Sequence, residues 1–136
     1  MSGPDARGRR TWPVRLMRAT AVLVLLDTLA QAALAGMFVT GDLDLLAWHS
    51  ANADVLAALT LAQAAAAALL WRRLDGPRWP VAASIALTAL ISVQQGLGEA
   101  RVLAAHIPLG MAVFGCATAL VCWAFAYRPR PVPVTS

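Results

Sequence analysis

The chain has 136 residues, 60% of them hydrophobic and only 13% charged. A soluble domain carries about a quarter charged residues, so composition argues against an ordinary soluble fold and for a bilayer. The net charge of +4 rests on eleven basic residues, all arginine. They stand in short clusters beside apolar blocks, the arrangement of a topology signal rather than of a nucleic-acid surface.

A hydrocarbon core of ~30 Å needs ~20 apolar residues in a helix, and four blocks reach that length. Residues 1–14 hold Gly, Pro and Arg without periodicity and are expected to form a disordered basic tail. The first helix is predicted from Arg15 to Val39. It is too long for a signal peptide and three more blocks follow it, so it is expected to be retained. A short loop with Asp42 and Asp44 comes next. The second helix is predicted from Trp48 to Trp71. The segment 72–79 is a turn broken at Gly76-Pro77. The third helix runs from Pro80 to Leu97, with Pro80 suited to a first turn. The fourth is predicted over 102–127, its start depending on whether Pro108 lies inside it or in its first turn. Residues 128–136, rich in Pro, are expected to be a second tail.

These spans predict an all-α fold, a transmembrane up-down four-helix bundle, because every connection is short and consecutive helices must be antiparallel neighbours. The lipid bilayer is its first partner. Ten of the eleven arginines fall on one side, and Asp42, Asp44, Glu99 and Arg101 on the other. The positive-inside rule then puts both termini in the cytoplasm, and the plasma membrane is the expected location. Trp12, Trp48, Trp71 and Trp79 fall at the predicted interfaces, as an aromatic belt does. The alanines of helix two (Ala57, Ala58, Ala62, Ala65, Ala66) are expected to let helix backbones approach closely. Cys116 and Cys122, six apart, face different ways on a helix and are expected to be packing residues rather than a pair. No internal repeat stands out.

Polar residues inside the spans are costly and need partners. His49 opens helix two and His106 lies near the start of helix four, both at the outer end. Facing side chains in a bundle core build cofactor sites, and two imidazoles at one depth suit the axial positions of a haem iron. His49 and His106 are thus candidate metal ligands for a b-type haem. Ala53 and Gly110, each four residues further along the same face, are expected to leave room for the macrocycle. The alternative is two interfacial histidines bonded to water or a loop. If helix four starts near Val102, His106 is expected a turn deeper than His49; if Pro108 is in the first turn, the depths match.

Asp27 lies near the middle of helix one, with Gln31 one turn later. Left unpaired, a carboxylate there costs about 2.5–3.5 kcal/mol. It is expected to be protonated or bonded to Gln63, Gln94 or Gln95. This is either an interhelical clasp or the proton or cation site of a small ion-coupled transporter, for which a homodimer is the expected assembly. A third reading is an accessory subunit of a larger membrane complex. Asp54, in the second turn of helix two, is favoured there by the helix dipole, or it orients an imidazole or Arg101; Asn52 is a candidate for the same task. Glu99 and Arg101 either pair in water or leave Arg101 to hold a propionate. No phosphate loop, catalytic triad or HExxH motif occurs, which argues against an enzyme.

The stretch VQQGLGEARVLAAHIPLG (93–110) resembles the junction of the third and fourth helices in the haem A synthase family. Gln94 or Gln95, Leu97 and Gly98 match the segment before the loop, and His106 matches the histidine that opens the next helix. His49 matches the histidine of the second helix. The chain is similar to one four-helix half of that two-half family. The resemblance implies a bis-histidine b-type haem site at His49 and His106. The family's outer-loop cysteine pair and first-loop glutamate are absent, and so is the second half, so haem methyl oxidation is not implied. The QAALAG ending of helix one and the histidine positions also resemble small actinobacterial four-helix membrane proteins of unknown function.

Overall fold

A computed structural model describes residues 4–42 and 44–129. It contains four helices: α1 (Pro4–Val39), α2 (Leu45–Leu74), α3 (Trp79–Glu99) and α4 (Leu103–Ala126). Each holds a segment long and apolar enough to cross a membrane, of 27, 30, 21 and 24 residues in chain order. The chain is a multi-pass membrane protein with a four-helix bundle fold.

Two boundaries depart from expectation. Helix α1 begins at Pro4, not near Arg15, so part of the expected N-terminal tail is helical. Pro13 does not break it there. Helix α2 begins at Leu45, a turn before Trp48. Most of the expected C-terminal tail, residues 130–136, lies outside the described residues.

The helices form a ring in which α1 touches α2 and α4, and α3 touches α2 and α4. Helices α2 and α4 are therefore diagonal. The turns explain themselves chemically. Gly41 takes a left-handed φ of +119°, which a residue without Cβ adopts at no steric cost. Helix α2 ends on Asp75 at φ +49°, a conformation that short polar side chains tolerate. Pro80 occupies the first turn of α3 and is buried.

Helix α3 ends in a Schellman motif. The Val102 N–H donates to the Leu97 carbonyl at 2.9 Å, and the Arg101 N–H to the Gly98 carbonyl at 3.0 Å. That closure puts Arg101 at φ +58°, where glycine is the usual residue.

The core has two apolar layers. Val14, Met17, Ala21, Ala66, Ala67, Leu70 and Ala124 pack at the end that carries the termini. Val24, Leu56, Leu87, Ile91, Val113, Ala117 and Leu120 form the other. Thr20, Thr60, Gln63 and Ser84 are buried polar residues within the bundle. The hydroxyls of Thr20, Thr60 and Ser84 donate back to carbonyls of their own helices, so they cost little in lipid.

The alanine expectation for α2 is corrected in detail. Ala66 and its neighbour Ala67 are buried, but Ala58, Ala62 and Ala65 are exposed, because α2 rotates only one face toward its partners. Cys116 and Cys122 are free, as expected, yet both are exposed rather than packed inside.

Candidate functional site

The two histidines converge. Their ring centroids lie 6.3 Å apart at an interplanar angle of 64°, although they stand on diagonal helices. The depth question resolves through α2 rather than through Pro108. Helix α4 starts at Leu103 with Pro108 inside it. The earlier start of α2 sets His49 at its fifth residue, beside His106 at the fourth residue of α4.

Each imidazole is held in the same way. His49 Nδ1–H donates to the Gln31 carbonyl of α1 at 3.2 Å. His106 Nδ1–H donates to the Gln94 carbonyl of α3 at 2.9 Å. A carbonyl only accepts, so the proton in each neutral ring sits on Nδ1 and Nε2 carries a lone pair. A carbonyl on Nδ1 is the partner that metal-ligating histidines use to fix tautomer and ring orientation. The glutamine side chains match too: Gln31 Oε1 and Gln94 Oε1 are both buried without a hydrogen-bond partner.

This symmetry corrects the expectation of no internal repeat. Gln31, Leu34 and Ala35 on α1 correspond to Gln94, Leu97 and Gly98 on α3. His49 and Ala53 on α2 correspond to His106 and Gly110 on α4. The signal was a shared Gln-x-x-Leu followed by His-x-x-x-small, too short to notice until the carbonyl contacts aligned it.

The glycines act differently from expectation. A Cβ at Gly98 would meet His106 Cε1 at 3.0 Å and Nδ1 at 3.2 Å, so Gly98 is the notch that receives the His106 ring. At Gly110 a Cβ would meet Gln94 Nε2 at 2.8 Å. The space there holds the Gln94 amide, not an open slot for a macrocycle. Ala53 is half-buried one turn below His49.

The remaining polar residues pair in ways not foreseen. Asp27 does not meet Gln63, Gln94 or Gln95; its Oδ2 accepts from Asn52 Nδ2 of α2 at 3.3 Å. Gln63 is fully buried and donates through Nε2 to Ser84 Oγ at 3.3 Å, while its Oε1 has no partner. Asp54 Oδ1 accepts from Gln95 Nε2 at 3.2 Å and so ties α2 to α3 instead of orienting an imidazole or Arg101. Arg101 makes no ion pair with Glu99 among the described residues; its contribution there is the backbone turn that delivers α4. No sequence pattern announces the role of Arg18, which clamps α1 to the end of α4 by donating to the carbonyls of Ala124, Phe125 and Tyr127.

Among the described residues no group of three or more His, Cys, Asp or Glu is placed to hold a metal ion. The histidine pair therefore offers two lone pairs and no more. Comparison of the chain with protein-family models, curated proteins and solved structures finds no match.

Proposed function

We propose that the chain binds a b-type haem through His49 and His106 near the outer face of the plasma membrane, for electron transfer or haem handling. The observation that carries this reading is the pair of imidazoles, each turned by a backbone carbonyl so that Nε2 is free, with centroids 6.3 Å apart. His49 and His106 would hold the haem iron through Nε2, the nitrogen that each carbonyl contact leaves unprotonated.

The chain's own residues do the rest. Gln31 and Gln94 orient the rings through their carbonyls, and Gly98 receives the His106 ring. A macrocycle at this site would require the Gln94 amide, which rests over Gly110, to swing aside. Bound haem supplies a one-electron redox couple at iron. The likeness of residues 93–110 to the haem A synthase family supports the same ligand pair.

Orientation follows from charge. Arg15, Arg18, Arg72, Arg73, Arg78 and Arg128 cluster at the end of the bundle away from the histidines, and among the described arginines Arg101 alone lies at the histidine end. By the positive-inside rule the basic end and both termini are cytoplasmic. The bond between Asp27 and Asn52 favours an interhelical clasp over an ion-coupling carboxylate.

The test is the absorption spectrum of protein purified from its native membrane. A Soret band and a sharp reduced α band are expected. A colourless preparation that stays colourless on adding haem overturns the reading.

A further inference from the structure

We propose that the cleft between α1 and the end of α4 is a binding site for the phosphate of an anionic phospholipid. The cleft, of about 300 Å³, is lined by Thr11, Val14, Arg15, Arg18, Arg128 and Pro129. Three guanidinium groups share it, and among the described residues no carboxylate lines it. Like charges gathered in one wall repel unless an anion joins them.

The guanidiniums are presented, not merely nearby. Arg18 donates through Nε to the Ala124 carbonyl at 3.0 Å, and through Nη2 to the carbonyls of Phe125 and Tyr127 at 3.4 and 3.3 Å. Arg128 donates through Nη1 to the Phe125 carbonyl at 2.9 Å. Two cations thus cap the last carbonyls of α4, where the helix dipole favours positive charge. Each keeps one terminal nitrogen, Nη1 of Arg18 and Nη2 of Arg128, outside these bonds. The Phe125 ring stacks under the Arg18 guanidinium at 5.3 Å, which limits its freedom further. Arg15 stands one turn before Arg18 on α1 and is exposed.

Depth selects the lipid as the source of the phosphate. Arg7, Arg9 and Arg10 in the sequence close the apolar stretch of α1 just before Thr11, so the cleft opens at the level where a bilayer carries its phosphates. Basic pockets between helices at that level suit anionic head groups.

The purified full chain in mild detergent tests this by thermal unfolding, with phosphatidylglycerol, phosphatidylcholine or inorganic phosphate added. Phosphatidylglycerol is expected to raise the midpoint and the other two to leave it unchanged. Native mass spectrometry then counts retained lipid. The double variant Arg15→Gln/Arg128→Gln is expected to weaken phosphatidylglycerol binding roughly fivefold per arginine, on the order of 25-fold in all. The double variant Arg72→Gln/Arg73→Gln, at the end of α2, removes the same charge and is expected to keep wild-type binding. The proposal is overturned if phosphatidylcholine stabilises equally, if inorganic phosphate reproduces the shift, or if both double variants lose lipid alike. Retention by the Arg15/Arg128 variant overturns it as well.

Discussion

His49 and His106 stand on diagonal helices, yet each donates its Nδ1 proton to a glutamine carbonyl on the helix that precedes it. Helices α1 and α2 deliver one imidazole, α3 and α4 deliver the other, and the bundle brings the two rings to 6.3 Å. Both lone pairs that remain are on Nε2, the arrangement on which the haem proposal depends.

If both rings ligate, they are not interchangeable with one. His49→Ala and His106→Ala are each expected to abolish the low-spin bis-histidine spectrum of the haem-loaded protein. A variant that retains the wild-type reduced α band removes that histidine from the ligand set.

Gly98 and Gly96 sit two residues apart on α3 and predict opposite outcomes. Gly98→Ala drives a methyl group into the His106 ring and is expected to break the bond from Nδ1 to the Gln94 carbonyl. The nitrogen-15 resonances of His106 should then lose their fixed tautomer, whether or not haem is bound. At Gly96 an added Cβ meets nothing within 4 Å. Gly96→Ala is expected to stabilise the helix by about 0.5–1 kcal/mol, read by unfolding in mixed micelles. An unperturbed His106 in the Gly98 variant contradicts the notch.

Arg101 holds the left-handed position of the Schellman motif at φ +58°. That conformation costs an ordinary residue about 1–2 kcal/mol. Arg101→Gly is expected to raise stability by roughly that cost. An unchanged or lower unfolding free energy counts against strain at this turn.

Asp27 and Asn52 join α1 to α2 inside the apolar span. Asn52→Leu removes the donor, and the loss expected is about 0.6–1.7 kcal/mol, the range of interhelical bonds in lipid. Asp27→Asn keeps an acceptor oxygen and is expected to cost less. If Asn52→Leu leaves stability unchanged, the clasp contributes nothing measurable.

The sequence by itself determined the architecture. Four apolar blocks joined by short turns can satisfy their backbone groups in lipid only as helices, and short links force neighbours to run antiparallel. It also marked His49 and His106, because polar groups at such positions stand out against hydrocarbon. Helix ends were less legible. Pro13 and Pro108 are turn formers in isolation, yet α1 and α4 run through both.

Pairing was decided by the tertiary structure. The sequence offers Asp27 three glutamines, Gln63, Gln94 and Gln95, and only helix rotation gives it Asn52 instead. The orienting carbonyls of Gln31 and Gln94 are backbone atoms that every residue possesses, so no side-chain pattern announces them. Gly110 illustrates the same limit: its missing Cβ admits the Gln94 amide, and which neighbour fills such a space depends on packing across helices. Arg18 reads in the sequence as one more topology arginine. Only the fold brings the end of α4 within its reach, where unsatisfied carbonyls need a donor.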